Sequence, residues 1–233
     1  MILLPREPLV APSILAADAA RLGEQVLEVA HAGARAIHVD VMDGHFVPPV
    51  TFGVQTVAAL RETLNGLDVL LDVHLMVERP ERLVSEFAAA GADIITVHVE
   101  ATSHLHYALD SIHGAGCLAG AALCPATSPS SLDEVSDMLD VALCMTVDPG
   151  WGGQPFISAS PGKIRRLAEV VGRQTRIEVD GGIDVVTGPI CADAGANLLV
   201  AGSSVFGARS PGAAFLELAR AVAPIPVAET ELA

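Results

Sequence analysis

Residues 37–44 read Ile-His-Val-Asp-Val-Met-Asp-Gly, a stretch that begins as a buried strand and ends in a turn. Side chains alternate along a strand, so His38, Asp40 and Met42 share one face and the apolar residues between them share the other. Burying an imidazole and a carboxylate in an apolar core costs several kcal/mol or more unless each finds a partner. The polar face therefore predicts a metal site or the lining of a cleft.

A second stretch repeats this pattern. Residues 71–77 read Leu-Asp-Val-His-Leu-Met-Val and place His74 and Met76 on one face. The repetition indicates that both strands face the same cavity. Two further aspartates are weaker candidates: we expect Asp72 to face away from His74, and Asp43 to serve a turn.

Short apolar runs alternate with amphipathic helical stretches along the whole chain. The runs are Leu9–Leu15, Ala36–Met42, Val69–Met76, Ile94–Val99, Leu118–Leu123, Val141–Val147, Arg176–Val179 and Asn197–Val200. Eight runs at intervals of about 20–35 residues fit repeated βα units, and their near-continuous hydrophobicity is typical of parallel strands. We predict a single-domain (β/α)₈ barrel over residues 1–221 with a C-terminal tail at 222–233; an open, doubly wound sheet is the alternative.

Sequence signals mark the ends of four of the helices between these runs. We predict helices at Asp18–Ala32, Pro80–Ala90, Ser131–Leu139 and Ser160–Val171. Asp18 is the expected N-cap of the first, and Ser-Leu-Asp-Glu at the start of the third has the spacing of a capping box.

Composition limits the classes of function. The chain has 233 residues, is 51% hydrophobic and carries a formal net charge of −15, which disfavours binding to nucleic acid or anionic membranes. The N-terminus lacks a basic segment before an apolar run, and no run reaches the ~18 apolar residues of a membrane span. Four cysteines without a Cys-x-x-Cys pair are typical of free thiols in a reducing compartment, so we expect a cytoplasmic protein.

The polar strand residues suggest a metal site. His38, Asp40, His74 and Asp180 come from three predicted strands and lie late in their runs, where a barrel places its chemistry. Two imidazoles and two carboxylates suit one divalent ion: Zn²⁺, with Fe²⁺ or Mn²⁺ as alternatives. The competing interpretation is that each is an ordinary polar residue of a cleft.

Glycine-rich loops suggest a phosphate site. Pro149–Gln154, Asp180–Gly182 and Ala201–Ser204 each follow a predicted strand, and such loops bind phosphate through backbone N–H groups in many barrels. The alternative is that all three are only turns. The loop Pro-Gly-Trp-Gly-Gly-Gln-Pro-Phe that begins at Pro149 is also long and rich in glycine, so it has the character of a closing lid.

Lysine is almost absent. Lys163 is the only lysine, and we place it at the start of a surface helix, so no lysine is left for Schiff-base chemistry in the barrel. The chemistry then depends on carboxylates and metal. Asp40 and Asp180 at one metal site suggest removal and return of an α-proton through an enediolate, and acids on opposite faces of the carbon would invert its configuration.

His98 and Glu100 share a face of the fourth predicted strand. Two interpretations remain for this pair: the side chains line the lower cavity, or they only hydrogen-bond to each other. We favour the structural interpretation.

Together these motifs resemble the ribulose-phosphate 3-epimerase family, from Ala11 to the end of Ala-Gly-Ser-Ser-Val-Phe at Phe206. The most specific segments are Ile-His-Val-Asp-Val-Met-Asp-Gly-His-Phe-Val-Pro from Ile37, Leu-Asp-Val-His-Leu-Met-Val from Leu71, Met-Thr-Val-Asp-Pro-Gly-Trp-Gly-Gly-Gln-Pro-Phe from Met145 and Glu-Val-Asp-Gly-Gly-Ile from Glu178. The resemblance implies a (β/α)₈ barrel, a homo-oligomer and, within the pentose phosphate pathway, interconversion of the sugar phosphates D-ribulose 5-phosphate and D-xylulose 5-phosphate.

The resemblance also implies roles for individual residues. His38, Asp40, His74 and Asp180 would bind the metal, with Asp40 and Asp180 as the acid/base pair and His74 close to the substrate. The remaining substrate contacts would come from Ser13, from three methionines that cover the intermediate, and from glycines and neighbours that hold the phosphate. These are Met42, Met76, Met145, Gly150, Trp151, Gly152, Gly153, Gly181, Gly182, Gly202 and Ser203.

Three positions depart from the family pattern. Trp151 replaces a usual Phe in the lid, Pro49 stands where Asn is common, and Cys124 stands where the family usually has Asn. We expect Pro49 and Cys124 to lie near strand ends that face the substrate and to influence its specificity.

Three other functions compete. A 3-epimerase of a related ketose phosphate, such as allulose 6-phosphate, would share the whole site. The decarboxylase and aldolase branch of phosphate-binding barrels has an Asp-x-Lys-x-x-Asp pattern, which Met42 contradicts at the lysine position. A barrel that binds metal or phosphate without turnover is the non-enzyme alternative.

Overall fold

Eight parallel strands form the centre of the molecule in the computed structural model, which describes Leu4 and residues 7–223. The strands are β1 (Leu9–Pro12), β2 (Ala36–Met42), β3 (Leu70–Met76), β4 (Ile94–His98), β5 (Leu118–Leu123), β6 (Val141–Met145), β7 (Arg176–Asp180) and β8 (Leu198–Ala201). All eight fall on the predicted apolar runs. Of the predicted tail, residues 224–233 lie outside the described residues.

The sheet closes on itself. Its order is β1-β8-β7-β6-β5-β4-β3-β2, with every neighbouring pair parallel. The two remaining edges meet beyond β1, where Ser13 forms a parallel bridge with His38 of β2. This closure confirms the predicted (β/α)₈ barrel and excludes the open sheet.

Helices surround the barrel. They are α1 (Leu22–His31), α2 (Val54–Thr63), α3 (Val84–Ala89), α4 (Leu105–Gly114), α5 (Ser160–Val171), α6 (Thr187–Asp193), α7 (Ser203–Phe206) and α8 (Pro211–Val222). Helix α5 has the predicted bounds. The stretches predicted as helices at Asp18–Ala32 and Pro80–Ala90 each begin with a separate 3₁₀ turn, and Asp18 caps the first of these by accepting the Ala20 N–H. None of the described helices is long and apolar enough to cross a membrane.

The connection between β5 and β6 differs from the prediction. Residues Pro129–Met138 form a 3₁₀ helix capped by Ser128, and not an α-helix beginning at Ser131. The Ser131 hydroxyl donates to the Ser128 carbonyl at 2.7 Å, so it does not form the predicted capping box. The buried residues Leu132 and Val135 are three apart, which is the repeat of a 3₁₀ helix.

Alternation along the strands separates two environments. Outward residues of β2 such as Ile37 and Val39 are buried in the apolar core beneath the helices. Inward residues of β1, β2 and β8 form a small apolar layer of Ala11, Ala36, Leu198 and Val200. The interior toward the strand ends is polar, because His38, Asp72, His74, His98 and Glu178 all point inward and are fully buried. The barrel therefore collects the polar faces noted in the sequence at its C-terminal end.

Candidate active site

Four side chains converge at the C-terminal end of the barrel. Asp40 Oδ1 lies 3.3 Å from His38 Nε2 and 3.3 Å from His74 Nδ1, and His74 Nδ1 lies 3.8 Å from Asp180 Oδ2. One ligand atom from each of the four residues lies within 4.8 Å of the others. Strands β2 and β3 are neighbours, and barrel closure brings Asp180 of β7 to the same point. The structure thus unites the residues that the sequence predicts as metal ligands.

The cluster has the chemistry to hold a divalent cation. His38 Nε2 is buried, lies beside Asp40 without hydrogen-bond geometry and has no hydrogen-bond partner among the described residues. A buried ring nitrogen without a partner is costly, and a cation is a group that would use its lone pair. Two imidazoles and two carboxylates are a ligand set for Zn²⁺, Fe²⁺ or Mn²⁺. The residues present fit one such ion.

The other nitrogen of His38 contacts a buried carboxylate. Its Nδ1 lies 2.6 Å from Asp72 Oδ2 and 3.4 Å from Glu178 Oε1. The expectation that Asp72 faces away from His74 is wrong: the two are separated by two positions of one strand and so share its inner face. Sequence reasoning also missed Glu178, although its spacing of two from Asp180 signals the same inner face of β7.

Burial and neighbouring charges shift the pKa values of His38, Asp72 and Glu178, which lie together inside the barrel. Burial and the adjacent Asp72 carboxylate raise the pKa of Glu178 well above its usual range. Burial would also raise the pKa of Asp72, but the His38 imidazole lowers it. The burial of His38 favours its neutral form, yet the carboxylates of Asp72 and Asp40 raise its pKa. The environment therefore favours the protonated form of Glu178 and the ionised form of Asp72, which lies within hydrogen-bond distance of His38 Nδ1.

Asp40 and Asp180 have opposite proton affinities. Burial works to raise the pKa of Asp40, but the imidazoles of His38 and His74 hold that pKa far below its usual range. Ser13 also donates its hydroxyl to Asp40 Oδ2 at 2.5 Å. Burial and the Asp40 carboxylate raise the pKa of Asp180 to about 7. Two carboxyl groups whose pKa values are driven apart are typical of an acid/base pair.

Both aspartates line one cleft at the C-terminal end of the barrel. Of the predicted substrate contacts, His74 is fully buried beneath the cleft, and all the others line it. These lining residues are Ser13, Met42, Met76, Met145, Gly150, Trp151, Gly152, Gly153, Gly181, Gly182, Gly202 and Ser203.

The methionines form an apolar wall of the cleft. Met42 and Met76 are register partners on β2 and β3 and pack together with Val47. Met145 packs with Val147 in a separate small cluster. Uncharged, polarizable side chains beside Asp40 keep water away from that carboxylate without offering it a competing proton.

The glycines of the cleft are required by the backbone. Gly182 has φ +66°, and a Cβ there would approach the Phe156 backbone to 3.0 Å; Gly181 has φ +120°, and its Cβ would lie 2.4 Å from Val147 Cγ2. The N–H groups of Gly182, Gly202 and Ser203 donate to no acceptor in the part of the chain that the structure describes. Unused N–H groups along one wall are a recurrent way to bind an anion.

The predicted lid is a compact loop over this wall. The Ile157 N–H donates to the Thr146 carbonyl at 2.9 Å and closes its base. Inside the loop, Gln154 Nε2 donates to the carbonyls of Asp148 and Trp151 at 2.6 and 2.9 Å. Trp151 borders the cleft and is 54% exposed. Its large exposed ring at the mouth of the cleft is consistent with a lid.

One sequence expectation outside the cluster needs correction. Lys163 is not on the surface: it is 6% exposed, and its ammonium donates to the Cys124 carbonyl at 2.6 Å. Its burial lowers its pKa, but it does not line the cleft. Cys124 directly follows the end of β5, as expected, and neither Cys124 nor Pro49 is among the residues that line the cleft. The four cysteines are free, as predicted.

Comparison with known proteins adds independent information. Residues 9–206 match the model of the Ribulose-phosphate 3 epimerase family. The chain is 50% identical over 202 residues to ribulose-phosphate 3-epimerase of Bacillus subtilis (strain 168), which covers 85% of this chain and 92% of that protein. It is 48% identical over 204 residues to the Escherichia coli (strain K12) enzyme of the same name, covering 86% and 90%.

A comparison of structures supports the fold alone. A structure of Mycobacterium tuberculosis tryptophan synthase matches with a TM-score of 0.72 at 16% identity, covering 94% of each chain. At this identity, the match carries no information about substrate.

Proposed function

The chain belongs to the ribulose-phosphate 3-epimerase family, and on this premise we propose that it inverts carbon 3 of D-ribulose 5-phosphate to give D-xylulose 5-phosphate. Membership makes it an isomerase of the epimerase class. The observation that carries the proposal is the pair Asp40 and Asp180, whose pKa values are driven apart at the floor of one cleft.

The two aspartates divide the proton transfer between them. Asp40, ionised at neutral pH, removes the proton from carbon 3 on one face of the substrate and leaves an enediolate. Asp180, whose pKa is near neutrality, delivers a proton to the opposite face. In the reverse direction, the roles exchange. The Ser13 hydroxyl holds Asp40 in place through its hydrogen bond to Oδ2.

One divalent ion completes this site in our proposal, held by His38, Asp40, His74 and Asp180. Zn²⁺ is our first choice because imidazole nitrogens and carboxylate oxygens are its usual ligands, and Fe²⁺ and Mn²⁺ suit the same set. When bound, the cation supplies stabilisation of negative charge on the substrate oxygens.

The rest of the cleft binds and covers the sugar phosphate. We assign the phosphate to the wall of Gly182, Gly202 and Ser203, whose backbone N–H groups have no acceptor among the described residues. Local N–H groups are needed because the protein as a whole is strongly acidic. Met42 and Met76 cover the reacting carbon from the opposite wall, and the loop with Trp151 closes over the cleft.

We also propose a cytoplasmic location and a homo-oligomeric assembly. Four free thiols, three of them buried, suit a reducing compartment. The assembly follows only from family resemblance, and size-exclusion chromatography with light scattering tests it.

Two measurements test the proposed reaction. The ratio kcat/KM for D-ribulose 5-phosphate should exceed that for D-allulose 6-phosphate, and the reverse order would favour the six-carbon epimerase. In D₂O, deuterium should enter carbon 3 of ribulose 5-phosphate. A chain that binds the sugar phosphate and exchanges no proton would instead be a binding protein.

A further inference from the structure

Three side chains form a line that leads from the protein surface to the candidate metal cluster. Glu100 lies at the partly exposed end, His98 is fully buried in the middle, and His74 belongs to the cluster. His98 Nδ1 lies 3.2 Å from Glu100 Oε2, and its Nε2 lies 2.8 Å from Nε2 of His74. The sequence interpretation, in which His98 and Glu100 only contact each other, omits this link to His74.

The two imidazoles share one hydrogen. Their ring planes are tilted by 24°, and their centroids are 4.9 Å apart. With the Nε2 atoms at 2.8 Å, this geometry fits an N–H···N hydrogen bond, in which only one of the two nitrogens carries the hydrogen. The choice matters, because a neutral imidazole with a hydrogen on Nε2 has its lone pair on Nδ1. In His74, Nδ1 is the atom that faces Asp40 and Asp180.

Glu100, at the outer end of the line, determines which of the two Nε2 atoms carries the shared hydrogen. Burial works to raise its pKa, but hydrogen bonds from His98 and Thr127 lower that pKa to about 2, so Glu100 is a carboxylate that can only accept. Its Oε1 is fixed by the Cys124 N–H at 2.8 Å and by the Thr127 hydroxyl. His98 must then carry its hydrogen on Nδ1 and present a bare Nε2 to His74.

The other groups that contact His98 do not oppose a hydrogen on its Nδ1. Cys124 Sγ lies 3.5 Å from His98 Nδ1, and burial together with Glu100 raises the pKa of this thiol to about 12, so it stays neutral. Its S–H hydrogen bonds to the Glu100 carboxylate, which can only accept, and so does not compete for His98 Nδ1. Phe46 packs against the His98 ring with centroids 4.8 Å apart and restricts its rotation.

We propose that Glu100 and His98 are positioning residues that hold His74 in the Nε2–H form, so that its Nδ1 lone pair is directed at the metal site. The proposal rests on the metal site of the proposed function and adds two residues to it. His38 has the corresponding support in a single step, from Asp72. His74 receives the support of a carboxylate through a second imidazole, that of His98. A substitution of Glu100 near the surface can therefore act on the buried cluster.

Substitutions at both positions test the proposal through metal affinity. Glu100→Gln keeps the side-chain size but offers an amide donor, which favours the opposite hydrogen arrangement in both imidazoles. His98→Leu removes the acceptor for His74, whereas the carbonyl of Gln in His98→Gln restores one. The Zn²⁺ dissociation constant is measured by competition with a chromophoric chelator on metal-stripped chain. We expect Glu100→Gln and His98→Leu to weaken binding by about 10–100-fold and His98→Gln to recover part of the loss.

A spectroscopic readout and a matched control complete the experiment. Long-range ¹H–¹⁵N spectra of the metal-free protein should show His74 with its hydrogen on Nε2, and Glu100→Gln should shift it toward Nδ1. Glu217→Gln, the same change on an exposed residue of α8, should leave both measurements unchanged.

The outcomes separate the two proposals. A wild-type chain that binds no divalent ion would overturn the metal site and the positioning role together. The positioning role alone would be overturned if the wild-type chain binds Zn²⁺ and Glu100→Gln and His98→Leu bind it equally well. A His74 hydrogen found on Nδ1 in the wild type would overturn it too.

Discussion

Asp72 Oδ2 lies 2.6 Å from His38 Nδ1, and the two residues are register partners on β3 and β2. An ionised carboxylate only accepts, so His38 carries a hydrogen on Nδ1 and its Nε2 faces Asp40, where the neutral ring offers a lone pair. Asp72 therefore orients a predicted metal ligand without contacting the metal site itself. The same contact gives a buried carboxylate the hydrogen bond that its burial requires.

Substitutions of Asp72 should reveal this role. Asp72→Asn keeps an acceptor oxygen, whereas Asp72→Leu leaves the Nδ1–H of His38 buried without a partner. We expect the leucine variant to bind Zn²⁺ about 10–100-fold more weakly and to lose about 1–3 kcal/mol of unfolding free energy. The asparagine variant should fall between it and the wild type. Chelator competition and urea unfolding supply the two measurements, and equal Zn²⁺ affinity in all three proteins would contradict the role.

The acid/base pair gives the second prediction. Asp40→Asn and Asp180→Asn should each reduce kcat by at least about 10²–10⁴-fold, because an amide neither removes nor delivers the proton at carbon 3. Circular dichroism should show an intact barrel. Asp137→Asn changes an exposed aspartate of the 3₁₀ helix and is the matched control, with expected wild-type activity. Near-native turnover in either active-site variant would exclude the two-acid mechanism.

The raised pKa of Asp180 predicts a dependence of stability on pH. Its pKa is about 7 in the folded protein, against an ordinary 3.8, so the metal-free fold holds this proton more tightly than the unfolded chain does. The stabilisation is complete below about pH 4 and is lost as the pH rises to about 7, since the unfolded chain binds fewer protons in that window. Asp180→Asn should remove this decline from urea-unfolding curves of the metal-free protein. Zn²⁺ competes with the proton, so it should raise Tm more at pH 8 than at pH 5.

Much of this site was predictable because its pattern is local. His38, Asp40 and His74 follow from two-residue alternation along a strand, and Asp180 follows from the rule that parallel strands of a barrel end at one face. Glu178 obeys the same alternation, but its partner Asp72 is far away in sequence. Their contact depends on the stagger of the strands in the closed barrel, which no single stretch encodes.

The errors have similar physical causes. The cap at residue 131 was predicted from side-chain types alone, whereas the Ser131 hydroxyl donates to a carbonyl and a 3₁₀ helix forms instead. Lys163 is predicted at the start of a surface helix, although its long side chain crosses buried space to reach the Cys124 carbonyl. In both cases the backbone supplied a hydrogen-bond partner that is invisible in the sequence.

The phosphate wall provides the last prediction. Gly182→Ala places a side chain at φ +66° and brings its Cβ to 3.0 Å from the Phe156 backbone, at the base of the lid. The left-handed backbone costs about 1–3 kcal/mol for a residue with a side chain, and the contact should push the lid base away from the wall of N–H groups. We expect the inhibition constant of inorganic phosphate and the KM for the sugar phosphate to rise together.

In Gly182→Ala, kcat should change less than the phosphate inhibition constant and the KM, because Asp40 and Asp180 keep their positions. Gly114→Ala at the end of α4 is the control, since a Cβ there meets no atom within 4 Å and its φ is not positive. If Gly182→Ala loses stability but binds phosphate as the wild type does, then the phosphate lies elsewhere in the cleft.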